Sequence, residues 1–130
     1  MNLDLQGIFP PIPTPFENGH CAPQRLEENL ARWNDTGLSG YLILGSNGEA
    51  PLLSEAEKLE LVRVARAAIP AEKILLAGSG LESTDATSVL TYRLADLGAD
   101  AALVLTPGYY RDLLAPEAMR RHFEAVAEAS

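Results

Sequence analysis

The chain has little cysteine, little positive charge and no long apolar run, and each scarcity removes a class of function. One cysteine, Cys21, among 130 residues rules out an internal disulfide and fits a reducing compartment. Ten Lys and Arg face eighteen Asp and Glu, a formal net charge of −8. Nucleic-acid binders carry basic patches, and anionic membranes recruit basic segments, so neither partner is expected. A carboxylate ligand stays open, because backbone N–H groups and hydroxyls can hold one without a cation. No apolar run approaches the ~20 residues of a membrane span. Met1–Gln6 lacks the basic and apolar regions of a secretory signal, so the expected location is the cytoplasm. No second cysteine or Cys-x-x-His spacing suggests zinc, and the Gly-Lys-Ser/Thr ending of a phosphate loop is missing. No metal or cofactor is expected.

What is there is a strand-then-helix rhythm. Apolar residues make up 47% of the chain and charged residues 22%, enough to build a core. Gly7–Phe16 is apolar but proline-rich, which suits a short strand ending in an irregular loop at Pro10–Pro15. Gly40–Gly45, Lys73–Ala77 and Ala101–Leu105 are short continuous apolar runs, the pattern of strands buried on both faces. Between and after them, four segments carry helical spacing: Pro23–Asp35, Ser54–Ile69, Thr84–Leu97 and Pro116–Ala129. Ser54 and Glu57 are spaced as a capping box, Pro70 and Gly98 are stop signals, and Pro116 suits a first helical turn. Strands recurring roughly every 30 residues make βαβ units and a parallel sheet with helical crossovers. Architecture alone leaves both an open doubly wound sheet and part of a closed eight-stranded barrel, which needs about 250 residues.

In either architecture ligands bind at the C-terminal ends of the strands. Four loops fall there: Pro10–Pro15, Gly45–Glu49, Gly78–Glu82 and Thr106–Arg111. The second, Gly-Ser-Asn-Gly-Glu, pairs two glycines with the hydroxyl of Ser46 and the amide of Asn47. Its successive backbone N–H groups suit an anion nest for a carboxylate; the same spacing also suits a plain βα turn. The fourth holds Tyr109 and Tyr110, half of the four tyrosines. A phenol there can relay protons, or it can anchor a subunit contact. The third loop reads as geometry, His122 as a surface histidine, and the Glu27–Glu28 pair and the Glu55, Glu57, Glu60 cluster as solvated helix faces.

Three segments, GSNGE at 45–49, LLAGSGLESTDAT at 75–87 and GADAALVLTPGYYR at 98–111, lie in an order and spacing that resembles the N-terminal half of the dihydrodipicolinate synthase / N-acetylneuraminate lyase family. The nearest branch resembles 4-hydroxy-2-oxoglutarate aldolase. The resemblance runs from Gly7 to Ser130. It implies an α/β fold, the (β/α)8 TIM barrel, with residues 1–130 supplying about the first four βα units as the N-terminal half of a single domain. It implies a class I aldolase or lyase that binds pyruvate or another 2-oxo acid as a lysine Schiff base, without metal or organic cofactor, in a homo-oligomer, tetramer or dimer.

Residue by residue, Ser46 and Asn47 fall on the family's pair that holds the pyruvyl carboxylate, two threonines in most synthases. Ser46 keeps the relay hydroxyl, so it is implied as both catalytic and substrate-binding. Asn47 is implied as substrate-binding and suits cleavage of 4-hydroxy-2-oxoglutarate to pyruvate and glyoxylate. The alternatives are 4-hydroxy-tetrahydrodipicolinate synthase, which condenses pyruvate with aspartate semialdehyde, and a non-catalytic half-barrel binding module. Tyr109 falls on the catalytic tyrosine that reaches a neighbour's site in family tetramers. The Schiff-base lysine and a second relay tyrosine follow later barrel strands and are expected beyond Ser130. Lys58, on a helix, and Lys73, at a strand start, are not expected to reach a carbonyl at the barrel mouth. The chain is therefore expected to be a fragment, inactive by itself, with two open sheet edges that favour instability, aggregation or pairing with another half.

Overall fold

The computed structural model describes residues 3–129. Met1 and Asn2, part of the stretch read for a leader, and Ser130, the end of the family-like span, lie outside the described residues. In chain order the elements are β1 (Phe16–Glu17), β2 (His20–Cys21), α1 (Pro23–Trp33), β3 (Gly40–Ile43), α2 (Glu55–Ala68), β4 (Ile74–Gly78), α3 (Thr84–Asp96), β5 (Ala101–Leu103) and α4 (Pro116–Glu128).

Strands β3, β4 and β5 form one parallel sheet in that order, with Tyr41 opposite Leu75 and Ala77 opposite Ala102. The proline-rich opening segment extends this sheet on its β3 side. Pro11 bridges Leu42 in parallel, the Ile12 N–H donates to the Leu42 carbonyl at 2.9 Å, and the Leu42 N–H donates to the Pro10 carbonyl at 3.0 Å. Proline is tolerated because the residues that must donate here are Leu42 and Ile12. The four parallel segments thus follow one another without reversal. Consecutive helices pack side by side, α1 on α2, α2 on α3 and α3 on α4. A doubly wound sheet reverses its strand order at a switch point; among the described residues none does.

The helices form where capping and periodicity place them. Ser54 Oγ accepts from the Glu57 N–H while the Glu57 carboxylate accepts from the Ser54 N–H, so the capping box is complete. Leu26 and Leu30 of α1 pack with Leu61, Val62 and Ala65 of α2 in one core cluster that also holds Tyr41 and Leu75. The buried Tyr41 hydroxyl donates to Asn34 Oδ1 at 3.0 Å, and Asn34 Nδ2 donates to the Ala68 carbonyl at 2.8 Å. That chain satisfies a buried phenol and joins the ends of α1 and α2. No helix among the described residues is long and apolar enough to cross a membrane.

Two expectations need correction, and one element is new. Ala101–Leu105 is not a buried strand: β5 stops at Leu103, and Leu103 and Leu105 are 40% and 50% exposed. Among the described residues β5 pairs with β4 alone, so one edge and much of its surface stay open. The segment just ahead of α1, for which the sequence reading named no element, holds a hairpin. Phe16–Glu17 pairs antiparallel with His20–Cys21 around Asn18 and Gly19, both with positive φ, the geometry of a primed hairpin turn. The Asn-Gly dipeptide carried that signal. Finally, His122 is buried rather than a surface residue, with Nδ1 2.9 Å from Thr84 Oγ1 where α4 packs on α3.

Candidate active site

Parallel pairing puts all four βα loops at one end of the sheet. Ser46 and Asn47 leave β3, Ser79–Glu82 leave β4, and Thr106–Tyr109 follow β5, so the residues singled out from sequence share one rim. A cavity of about 350 Å³ opens there, lined among others by Gly45, Ser46, Lys58, Glu82, Leu105 and Gly108.

The Ser46 turn is built from backbone geometry. Leu44 adopts φ 56° and Glu49 φ 53°, left-handed conformations that disfavour side chains with a Cβ. Between them, residues 46–48 form one turn of 3-10 helix. The Gly48 N–H donates to the Gly45 carbonyl at 3.0 Å and the Glu49 N–H to the Ser46 carbonyl at 3.1 Å. The N–H groups of Ser46 and Asn47 have no acceptor among the described residues. Two successive unpaired donors at the start of a helical turn are able to donate hydrogen bonds to an acceptor such as an anionic oxygen. Both side chains are exposed. Gly78 is required beneath this turn, because a Cβ there would sit 1.9 Å from the Leu44 carbonyl oxygen.

Sequence reasoning missed what holds the turn in place. Thr14, on the first loop and buried, donates its hydroxyl to the Gly48 carbonyl at 2.6 Å. Its position inside Pro10–Pro15 was visible, but nothing local says that a hydroxyl 34 residues upstream caps the second loop.

Tyr109 lies on the same rim but does not line the cavity. It is 78% exposed, and its ring packs edge-on against Tyr110 with centroids 4.8 Å apart. Asn47 also lies outside the lining, so the cavity gathers Ser46 but neither Asn47 nor Tyr109. Instead it gathers two residues set aside by sequence reasoning. Glu82 accepts from the Gly108 and Tyr109 N–H groups, each at 3.0 Å; these two donors hold its carboxyl below the usual glutamate range. Lys58, read from sequence only as a helix residue not expected to reach a carbonyl at the barrel mouth, is 7% exposed and lines the cavity. Lys73 stays at the opposite end, with Nζ donating to the Thr36 and Leu38 carbonyls at 3.0 and 2.8 Å.

Comparison with known proteins agrees with this architecture. Residues 4–130 match the model of the dihydrodipicolinate synthetase family. A 4-hydroxy-tetrahydrodipicolinate synthase from Methanococcus aeolicus is 34% identical over 125 residues, 96% of this chain and 43% of that protein. The structure of the 4-hydroxy-tetrahydrodipicolinate synthase from Methylacidiphilum fumariolicum superposes with a TM-score of 0.91 at 32% identity, covering 98% of this chain and 42% of that one. An N-acetylneuraminate lyase from Mycoplasma synoviae superposes at 0.86 with 27% identity, covering 95% and 43%. The chain thus spans about two fifths of the length of the relatives it matches. Its four βα units are those of the N-terminal part of a (β/α)8 barrel. By its family match and the unbroken strand order of its sheet, the chain belongs to the dihydrodipicolinate synthetase family.

Proposed function

We propose that these residues form the N-terminal half of a single barrel domain whose complete form is a lyase acting on pyruvate or a related 2-oxo acid. The observation that carries this reading is the turn at Ser46 and Asn47, with two unpaired N–H groups and a hydroxyl on the rim. It is suited to hold the carboxylate of a pyruvyl group. A lysine amine beyond residue 130 condenses with the keto carbon and releases water. The protonated imine then accepts the electrons of the C–C bond that breaks, or, in the condensation direction, loses a proton from its methyl carbon to give the enamine whose electrons form the bond to the aldehyde. The Ser46 hydroxyl passes the proton to or from the reacting oxygen. Tyr109 extends that relay from a neighbouring subunit of a homo-oligomer, a role its outward position supports.

Two acceptor chemistries have support. The synthases named above favour condensation of pyruvate with aspartate semialdehyde. Asn47, where most synthases carry a threonine, favours cleavage of 4-hydroxy-2-oxoglutarate into pyruvate and glyoxylate. The former has the wider support and stands first.

The test is borohydride trapping of the full-length protein with pyruvate, followed by peptide mapping. A reduced pyruvyl adduct on a lysine beyond residue 130 is the expected result. An adduct on Lys58, which also faces the rim, overturns the assignment of the nucleophile; no adduct at all favours a binding module. Turnover of aspartate semialdehyde against 4-hydroxy-2-oxoglutarate then separates the two chemistries.

A further inference from the structure

The four rim loops are not held equally. The loop after β4 is fastened to α3 from below. Its Ser79 hydroxyl lies 2.8 Å from Thr91 Oγ1, both buried, and its Leu81 N–H donates to Thr87 Oγ1 at 3.0 Å. Thr87 Oγ1 also lies 2.8 Å from the Ser83 carbonyl, and Ser83 in turn caps α3 by accepting from the Ala86 N–H at 3.3 Å. Glu82 stands between these fastened neighbours.

The loop that carries Tyr109 is the opposite case. Among the described residues, the only hydrogen bonds reaching residues 106–109 are the two that Glu82 accepts from Gly108 and Tyr109. Glu82 forms no ion pair among the described residues, so both oxygens are spent on consecutive N–H groups of one loop. A carboxylate spanning two backbone donors fixes the orientation of the peptide between them. That peptide joins Gly108 to Tyr109, and its plane sets the direction in which the Tyr109 side chain leaves the rim.

We propose that Glu82 is a positioning residue, a carboxylate clamp on a rigid loop that aims Tyr109 for proton transfer. This rests on the reading of Tyr109 as a relay group. Glu82 needs no contact with substrate to act. Its influence runs through the Gly108–Tyr109 peptide, so it bears on turnover and not on the pyruvyl carboxylate held at Ser46.

The test uses the full-length protein with Glu82→Gln, which leaves one acceptor and turns an amide NH2 toward the second donor, and with Glu82→Asp, which keeps the charge on a shorter arm. The expected result is amide exchange at Gly108 and Tyr109 at least tenfold faster in both variants, other rim amides being unchanged. With it comes a kcat loss of about tenfold at constant KM for pyruvate, and no further loss when Glu82→Gln is added to Tyr109→Phe. Unchanged exchange at the two amides overturns the clamp, whatever the activity does. A KM rise with kcat intact, or full additivity with Tyr109→Phe, overturns the positioning role and leaves Glu82 as a loop brace. If Tyr109→Phe alone keeps full kcat, the relay reading fails, while amide exchange still reports on the clamp. Should Glu82→Gln not fold, Glu82→Asp and the acid titration of the two amide shifts in the native protein decide: movement together with the Glu82 carboxyl supports the clamp, and no movement refutes it.

Discussion

Two regions of this molecule are built from similar sequence and end in different states. Gly40–Ile43 and Ala101–Leu103 are both short apolar runs that open onto polar loops. In the first, Tyr41 and Ile43 are buried, because β3 has a parallel neighbour on each side and α1 and α2 above it. In the second, Ala102 and Leu103 are exposed, because β5 has one neighbour. The contrast continues into the loops: the turn after β3 is braced by Thr14 and its own 3-10 bonds, whereas the loop after β5 hangs on Glu82. Burial of a strand is thus a property of its neighbours and not of its composition.

The contrast can be broken by substitution. Leu30→Ala and Leu75→Ala, at positions with no exposed surface, should each lose about 2–5 kcal/mol of stability. In the 130-residue chain by itself, Leu103→Ala should lose under about 1 kcal/mol. Urea denaturation measures all three, and an equal loss at Leu103 would mean that the β5 face is covered. In the full-length protein, Ser46→Ala should lower kcat about 100-fold, the lower end of what a positioned proton-transfer group contributes. Steady-state kinetics with pyruvate decides it, and retained kcat removes Ser46 from the relay.

Smaller effects sharpen the same comparison. Gly78→Ala should destabilise by about 1–3 kcal/mol through overpacking against the Leu44 carbonyl, whereas Gly108→Ala, whose Cβ would meet nothing closer than 3.9 Å, should change the melting temperature little. Ser54→Ala removes the α2 cap and should cost about 1 kcal/mol. The partner in that cap adds a pH signature. Hydrogen bonds from the Ser54 hydroxyl and then the Ser54 N–H hold Glu57 below its ordinary value of 4.5. The stability it contributes is therefore complete above about pH 4.5 and lost as pH falls toward the lower folded value. Acid denaturation of Glu57→Gln should lack this component. If its profile superposes on the native one, the cap carries no proton linkage.

Most of the fold was legible because its signals are local. The Ser54–Glu57 spacing, Pro70, Gly98 and Pro116 bound α2, α3 and α4 to within two residues of their observed ends. Apolar runs located β3 and β4 for the same reason. The hairpin at Asn18–Gly19 was legible too but was passed over, since its strands are only two residues long. The site was partly legible. Residue type and loop position pointed to Ser46, Asn47 and Tyr109, and all three lie on one rim. Thr14, Glu82 and Lys58 were not visible as site residues. Each acts across 26 or more residues of sequence or by the direction of a side chain, and no local pattern encodes either.

By itself, then, the sequence determined the order and type of the elements, the absence of internal disulfides, and which loops carry polar groups at strand ends. Capping, proline geometry and helical or strand periodicity operate within a few residues, so composition and spacing suffice for them. Tertiary structure alone decided that Thr14 braces the Ser46 turn from 34 residues away. It also decided that Lys58 turns into the rim cavity and that a single carboxylate holds the tyrosine loop. Those outcomes depend on which distant surfaces meet, and burial and hydrogen-bond partners are set by that meeting.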